Sequence, residues 1–331
     1  MKKYILSAVS LFVLLVVSCS NEDITIEAPS TITINASSVI SPFTYEDYPG
    51  ELEIFDNANF RIRIRALVYN EKGELVKKDS AFYTNYNVQL KVTEFLSKGT
   101  YIVLGISDVV MVSGSAVSKE WWVMSGESKL SEMTIKSSGM IGNSAKVLGV
   151  AKNTLNVQES QGNNVEINLQ PAGALVYCYF ENMKVFSNVT HYKLMTNKTA
   201  ESLSFDGNGN YTVTENQDAE SLFRLARVSA DKSSDHTYNF ILPMKNVAMI
   251  FCAELEDGSN YVFKNDLGAQ VDVVAGDEYK CTLTLNSNEN RVKAEYIYAN
   301  KSRTRMIEWS DQWIERCGYK QQNTNCSIEN E

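Results

Sequence analysis

Apolar and polar residues alternate with a period of two along many short runs of this sequence, which restricts the chain to a β-rich fold. Between residues 61 and 69 the isoleucines, Ala66 and Val68 share one face of a strand, and arginines occupy the other. Residues 70–73 then have turn chemistry and precede Leu75, so a hairpin is predicted here. Similar runs recur up to residue 285, and together they predict an all-β chain of β-sandwiches.

Two segments and one boundary interrupt this pattern. Residues 90–95 and 219–225 are the only segments compatible with short helices. Gln170-Pro171-Ala172-Gly173 separates two apolar runs and is the best internal boundary. The length also favours two domains, so we expect one sandwich over residues 24–170, a second over residues 171–300, and a C-terminal segment over residues 301–331.

The first eighteen residues have the anatomy of a signal peptide. Lys2 and Lys3 precede an uncharged apolar run over residues 4–17, which is too short to cross a bilayer comfortably. The run ends in Val16-Val17-Ser18-Cys19, which resembles the lipobox of bacterial lipoproteins. The resemblance implies that residues 1–18 are removed and that Cys19 carries diacylglycerol and palmitate. The alternative is an ordinary secretory signal in which Cys19 is incidental.

Residues 19–23 are predicted to form a lipidated tether. Ser20, Glu22 and Asp23 follow the cysteine closely and are similar to the surface-export signal of Bacteroidota lipoproteins. The same residues are equally typical of a plain solvated tether. We expect a lipid-anchored protein of the outer membrane, and the tether favours the cell-surface side.

Charge and cysteine content narrow the choice of partners and crosslinks. The net charge is -9 and no tract is rich in lysine or arginine, so no nucleic-acid partner is expected. Five cysteines follow Cys19, and this odd number excludes a complete disulfide framework. Cys178, Cys252 and Cys281 lie in apolar runs and are predicted to be buried. The sequence does not decide whether Cys317 and Cys326 form a disulfide.

The order of several motifs points to a known family. Residues 96–101, Leu-Ser-Lys-Gly-Thr-Tyr, form a turn before a tyrosine-led strand. Residues 274–279 repeat this arrangement of a glycine shortly before a tyrosine. These motifs resemble those of the fimbrillin-like lipoproteins of Bacteroidota, which include FimB-type fimbrial anchors. Two departures concern the subfamily: Ser97 stands where proline is usual, and Gly105-Ile106-Ser107 replaces a small residue followed by tryptophan.

The resemblance implies two tandem transthyretin-like β-sandwich domains in a cell-adhesion protein that builds or anchors a fimbrium with other fimbrial subunits. In polymerising members an arginine-specific protease removes the N-terminal strand, and the next subunit's strand fills the groove. Here no lysine or arginine occurs from Tyr4 to Phe60. The alternating segments 24–26 and 31–34 should therefore stay in place, which favours an anchor or terminating subunit over a polymerising subunit.

The sequence contains no recognisable catalytic or metal-binding motif. His191 and His236 are far apart, and the motifs of zinc hydrolases, serine hydrolases and phosphate-binding loops do not occur. Residues 206–210 are similar to a calcium loop, but Tyr211 stands where that loop needs glycine, so a hairpin turn is the better interpretation. We expect no enzymatic activity, no metal and no cofactor.

A rival interpretation is a surface glycan-binding lipoprotein, which would stack sugars on exposed aromatic rings. Trp121 and Trp122 are adjacent and would point to opposite faces of a strand, whereas Trp309 and Trp313 are four residues apart and could share a face. Aromatic pairs usually fill cores, so we expect Trp309 and Trp313 to pack the C-terminal segment onto the second domain. The exposure of Trp122, Trp309 and Trp313 distinguishes the two interpretations.

Asp79-Ser80-Ala81 resembles the acceptor tripeptide for O-glycosylation in Bacteroidota envelope proteins. The resemblance makes Ser80 a candidate for modification, on the condition that it lies on a loop.

Overall fold

The computed structural model describes residues 28–39, 59–85, 87–138, 147–158, 162–184, 189–196, 198–217, 221–229, 233–247, 249–258, 260–263, 271–286, 291–298, 303–308, 314–317 and 326–329. Within these ranges the chain consists of strands and two short 3-10 helices, Ser37–Val39 and Leu130–Glu132, with no α-helix. No helix in this part of the chain is long and apolar enough to span a membrane. The strands are β1 (Ala28–Asn35), β2 (Phe60–Tyr69), β3 (Leu75–Tyr83), β4 (Gln89–Leu96), β5 (Gly99–Ser113), β6 (Ala116–Glu120), β7 (Trp122–Ser125), β8 (Thr134–Ser137), β9 (Leu148–Val157), β10 (Asn163–Asn168), β11 (Gln170–Pro171), β12 (Ala174–Glu181), β13 (Val189–Thr196), β14 (Thr199–Phe205), β15 (Tyr211–Asn216), β16 (Ser221–Arg227), β17 (Asp235–Ile241), β18 (Met244–Val247), β19 (Met249–Leu255), β20 (Asn260–Phe263), β21 (Val271–Val273), β22 (Glu278–Asn286), β23 (Arg291–Tyr298), β24 (Arg303–Glu308), β25 (Ile314–Cys317) and β26 (Cys326–Glu329).

Two sheets from the first half of the chain face each other. A six-stranded sheet runs in the order β11-β9-β5-β2-β3, with β6 also paired to β5, and a three-stranded sheet has the order β10-β1-β4. Gly105 of β5 lies against Ile34 of β1 and Ile167 of β10, so the two sheets enclose a common apolar core. The predicted β2–β3 hairpin is confirmed, with Asn70 and Glu74 closing its turn.

The second half contains two further large sheets. One has the order β17-β12-β22-β23-β24 and the other the order β16-β13-β19-β20-β25-β26. Phe180 of β12 and Tyr192 of β13 bring their ring centroids within 6.0 Å across the two sheets, and both rings are buried. The prediction of an all-β sandwich architecture is thereby confirmed.

A fifth sheet joins strands from both halves of the sequence. Its order is β15-β14-β8-β7, so the β14–β15 hairpin pairs with strands that precede residue 138. The amide of Phe205 donates to the Met133 carbonyl at 3.1 Å, and the Lys152 ammonium donates to the carbonyl of Asn208 in the hairpin turn. The predicted boundary near residue 170 is therefore bridged by backbone hydrogen bonds, and the two-domain division stays a prediction.

Residues 90–95 and the described part of segment 219–225 are strands, so the prediction of short helices was wrong there. Residues 90–95 lie in β4, where Leu90 and Val92 are buried and Lys91 is exposed, as period two requires. Residues 221–225 lie in β16, paired with β13. A neighbouring strand supplies hydrogen bonds along each segment, and this tertiary pairing outweighs the weak helical preference of a six- or seven-residue run.

The two tyrosines that follow glycine-containing turns play the same part in both halves. The hydroxyl of Tyr101 donates to the Ser97 carbonyl at 2.8 Å, and that of Tyr279 donates to the Asp272 carbonyl at 2.8 Å. Both rings are buried. Tyr101 therefore ties β5 to the turn before it, and Tyr279 ties β22 to strand β21 across the turn between them.

The cysteines follow the strand pattern where they are described. Cys178 is buried in β12, directly beside Cys281 of β22 in the parallel register. Cys317 of β25 and Cys326 of β26 stand opposite each other in an antiparallel pair. The side chains of Cys252, Cys281, Cys317 and Cys326 lie outside the described ones, so a bridge between the last two stays an open question.

Candidate functional site

The N-terminal strand β1 is the centre of the candidate site, because it fills the slot between β4 and β10. It runs antiparallel to β4 over Ala28–Asn35 and parallel to β10 from Ser30 onward. Ile32 stands between Val92 and Val165 in this register. Both edges of β1 are hydrogen-bonded, so its removal would leave two unpaired strand edges.

The inward side chains of β1 are completely buried. Ile32 and Ile34 are 0% exposed, and their register partners on both neighbouring strands are at most 6% exposed. The outward residues Thr31 and Thr33 are half-buried. This alternation means that β1 contributes one face to the core, so the groove beneath it is apolar and matched to a strand of period two.

Two glycines allow the N-terminal segment to approach the facing sheet. A Cβ atom at Gly105 would lie 3.1 Å from Ile34 Cγ2 and 2.9 Å from Leu169 Cδ2. A Cβ atom at Gly149 would lie 2.4 Å from Val39 Cγ2, and Val39 itself is 0% exposed. Gly105, noted in the sequence as a departure from the family pattern, thus makes room for β1.

Hydrogen bonds fasten the C-terminal end of β1. The Asn35 carboxamide oxygen accepts from the amide of Ser37 at 3.0 Å and from its hydroxyl at 2.7 Å. The amide of Leu169 donates to the Asn35 carbonyl at 2.9 Å, and the Ser38 hydroxyl donates to the Leu169 carbonyl. The turn after β1 is thereby tied to the end of β10, about 130 residues later.

Ser30 is the one inward position of β1 that is polar. It is 0% exposed, and its hydroxyl has no hydrogen-bond partner among the described residues. A buried hydroxyl without a partner costs about 1–3 kcal/mol relative to a satisfied one. The N-terminal end of the strand is therefore held less well than its C-terminal end.

A buried charge cluster lies on the other face of β2, and the sequence did not predict its burial. Arg63 donates from Nε to Asp108 Oδ1 at 2.9 Å and from Nη2 to Oδ2 at 2.7 Å, and Nη2 also reaches Glu120 Oε2 at 2.9 Å. Burial acts to lower the pKa of Arg63, but hydrogen bonds and charge from Asp108 and Glu120 together raise it. Burial lowers the pKa of Arg65, whose Nη2 lies 3.4 Å from Asp108 Oδ1. The signal for this cluster was Asp108, a carboxylate inside an apolar strand.

The structure describes some of the predicted site residues and not others. Cys19 and segment 24–26 lie outside the described residues, so lipidation stays a prediction, whereas segment 31–34 forms the core of β1. Ser80 is exposed but lies within strand β3 and not on a loop, so the stated condition for its glycosylation is not met.

Residues 206–210 form the turn between β14 and β15, as predicted. The Asp206 carboxylate accepts from the amides of Asn208 and Asn210, both at 2.8 Å. Hydrogen bonds from the Asn210 side chain and backbone are the largest causes that lower the pKa of Asp206. This carboxylate is therefore engaged by its own turn. Among the described residues, no group of three His, Cys, Asp or Glu side chains is arranged to hold a metal ion.

The tryptophans that would serve a glycan platform are not available where they can be seen. Trp121 and Trp122 are each 1% exposed. Trp121 packs edge-on against Phe60, with ring centroids 5.7 Å apart, and Lys119 Nζ lies 5.2 Å from its ring centroid. Trp309 and Trp313 lie outside the described residues. The burial of Trp122 counts against the glycan-binding interpretation, whereas the packing expected of Trp309 and Trp313 stays a prediction.

No model of a known protein family matches the chain, and no curated protein matches it by sequence. Solved structures do match. A Bacteroides thetaiotaomicron protein described as a candidate polysaccharide-binding protein is 12% identical, with a TM-score of 0.51 over 86% of this chain and 100% of that one. The fimbrial anchor protein Mfa2 from Porphyromonas gingivalis is 12% identical, with a TM-score of 0.49 over 85% of this chain and 99% of that one. The tip fimbrial protein Mfa3 from the same organism, truncated at its C-terminus, is 11% identical, with a TM-score of 0.44 over 86% and 100%. At these identities the similarity concerns the fold alone, and the chain has the all-β sandwich fold of the Bacteroides thetaiotaomicron protein.

Proposed function

We propose that this protein is a non-enzymatic, lipid-anchored surface lipoprotein that anchors or terminates a fimbrium at the outer membrane. The observation that carries the proposal is the seat of β1 between β4 and β10, with Ile32 and Ile34 fully buried. In a polymerising subunit the corresponding groove must become free for a neighbour's strand. Here the chain fills it with its own N-terminal segment.

The position of β1 in the sequence links this strand to the membrane. Cys19 is nine residues before Ala28, so a lipid on Cys19 would be joined by a short tether to the central strand of a sheet. The absence of lysine and arginine from Tyr4 to Phe60 leaves an arginine-specific protease no cleavage site in this segment. If this protease does not cut the segment, the chain keeps both strand β1 and the lipid on Cys19.

The open edge of the large sheet offers a contact for another subunit. Among the described strands β3 ends the order β11-β9-β5-β2-β3, so its outer edge beyond Leu75, whose amide donates to the Ser128 carbonyl at 3.0 Å, is a candidate for strand addition. Val76 and Phe82 of this strand are 39% and 42% exposed. The exposed charges of Lys77 and Lys78 on the same strand disfavour pairing of this edge with unrelated strands.

Deletion of the gene tests the proposal. Shedding of intact fimbriae into the medium is the expected result, because subunits would polymerise without attachment. Cys19→Ala serves as the matched variant, since it retains the whole folded region and removes only the lipid acceptor. Loss of all polymer after deletion would instead identify a shaft subunit. Unchanged, cell-bound fimbriae would contradict both roles.

The state of the N-terminus gives an independent test. Mass spectrometry of the protein from outer membranes should find the peptide of β1 still joined to a diacylated Cys19. A chain that begins after β1 would show that the strand is removed, and the polymerising role would then replace the anchor.

Glycan binding is the second candidate function. Its support is the fold shared with the Bacteroides thetaiotaomicron protein, whose description names polysaccharide binding. The burial of Trp121 and Trp122 removes two of the four tryptophans from any stacking platform. Retention of the purified protein on immobilised polysaccharides, together with normal fimbriae in the deletion strain, would favour this function.

A further inference from the structure

A cleft at one end of the β16-β13-β19 sheet is lined by polar and charged side chains that the anchoring role does not use. Its volume is about 750 Å³, which is within the range of small-molecule sites in proteins. The cleft is lined by the first residues of β13, the last residues of β16 and β19, and the turns beside them. The cleft and β1 belong to different sheets.

The hydrogen bonds of Thr190 fix the proton on the His191 ring. The Thr190 hydroxyl has a single proton, which it donates to the Glu254 carbonyl at 3.0 Å. The His191 Nδ1 atom lies 3.1 Å from the same hydroxyl oxygen, and we assign the proton of this contact to Nδ1 because the Thr190 proton is directed at the Glu254 carbonyl. In the neutral ring Nε2 is then left as a hydrogen-bond acceptor, and no described side chain occupies it.

Three side chains stand in one row across the neighbouring strands. His191 is the register partner of Arg227 on β16 and of Glu254 on β19, so all three point to the same face of the sheet. The Glu254 carboxylate is held by Lys193, with Nζ and Oε2 2.5 Å apart. The Arg227 guanidinium is exposed and has no ion pair within the described part of the chain.

We propose that this cleft binds an acidic saccharide, with Arg227 pairing with the sugar carboxylate and His191 Nε2 accepting a hydrogen bond from a neighbouring sugar hydroxyl. Thr190 is a positioning residue, because it acts on the ligand only through the His191 tautomer. This inference does not depend on the anchoring role.

The chemistry of the lining selects this ligand class. A guanidinium binds a carboxylate through two parallel hydrogen bonds, so Arg227 favours an anion with planar geometry. Two other lining groups, His191 Nε2 and the exposed carboxylate of Glu256, are acceptors and require donors on the ligand. A simple carboxylate such as acetate has no hydroxyl to donate to either acceptor, whereas a uronic acid carries a carboxylate and several neighbouring hydroxyls.

The two histidines of the chain make the test direct. In the mature protein labelled with ¹⁵N-histidine, only two pairs of imidazole signals are expected, one pair for each ring, and His236 provides an internal reference. The probe is a galacturonic acid trisaccharide, with its methyl ester as the neutral control. The acid should shift the His191 signal in a saturable manner and leave that of His236 in place. The ester should bind about tenfold or more weakly, because it lacks the charge-assisted hydrogen bonds to Arg227.

Matched variants assign the contacts. Arg227→Gln should reduce the affinity for the acid to that for the ester, whereas His236→Gln should leave it unchanged. In the free protein the ¹⁵N shifts should show a proton on Nδ1 of His191, and Thr190→Val should release this tautomer and weaken binding without loss of the fold. No shift of His191 with the acid, equal binding of acid and ester, or an Nε2–H tautomer in the wild type would overturn the proposal. A tripeptide acid that shifts His191 as strongly as the sugar would overturn the saccharide assignment.

Discussion

Replacement of Ile34 by alanine should loosen β1 selectively. The side chain is 0% exposed and lies against the close approach at Gly105, so the neighbouring strands cannot collapse far into the space that it leaves. Removal of three carbon atoms at about 0.8 kcal/mol each gives about 2.4 kcal/mol of lost transfer free energy. The unfilled cavity adds to this, and about 3–4 kcal/mol is expected in total, within the range measured for such changes.

The assay is native-state hydrogen exchange of the β1 amides. Because β1 pairs on both edges, its amides should exchange only when the strand leaves its slot, and Ile34→Ala should lower the free energy of that opening by the amount given above. Thr33→Ala is the matched control on the outward face and should change it by less than about 1 kcal/mol. Equal effects of the two variants, or an Ile34→Ala effect below about 1 kcal/mol, would refute the view that β1 is held by its buried face.

Four further predictions concern the same fold. Ser30→Ala should stabilise the protein by about 1 kcal/mol, since it removes a buried hydroxyl that has no partner; urea denaturation measures this, and a loss of stability would point to a missed contact. Gly149→Ala should destabilise by about 1–3 kcal/mol because its Cβ would overlap Val39, and a neutral thermal melt would contradict the close approach. Asp108→Asn should cost about 3–5 kcal/mol by leaving the buried Arg65 without a counterion and Arg63 with Glu120 alone, whereas an unchanged urea midpoint would mean that water already hydrates both guanidinium groups. The pKa of Glu215 is depressed, chiefly by its hydrogen bond from a buried lysine, so its contribution is present above the ordinary pKa of 4.5 and is lost as the pH falls through the depressed value. Glu215→Gln should flatten the acid limb of a stability-versus-pH curve, and an identical limb would exclude this carboxylate as a cause.

Local pattern was sufficient wherever a strand and its partner are close in sequence. The β2–β3 hairpin was predictable because residues 61–69 alternate and the next four residues form the turn. Residues 90–95 were not predictable in the same way. Six residues contain fewer than two helical turns, so the periodicity of a helix cannot be distinguished from that of a strand over this segment. The decision needs the knowledge that β1 pairs with it.

Long-range pairing accounts for most of what the sequence did not reveal. Nothing in residues 28–35 shows that this strand lies parallel to β10 or that β14 joins β8 across the expected boundary. The arginines of β2 alternate like surface residues, and they are buried only because Asp108 and Glu120 arrive from other strands. Likewise, the row of Arg227, His191 and Glu254 comes from three strands and leaves no signature in any one of them.

The parallel pairing of β1 with β10 also sets an order for folding. The first described strand of the chain cannot complete its sheet until residue 168 is available, because β10 supplies one of its two edges. Contacts of such long sequence separation form late and slowly. During folding the slot therefore stays open after most of the first sheet can assemble, and any other apolar strand nearby competes for it during this interval. The outcome of that competition depends on time and on the local concentration of competing strands. A holdase or rapid lipid attachment near β1 would therefore change how fast β1 enters the slot between β4 and β10, and would not change the final fold.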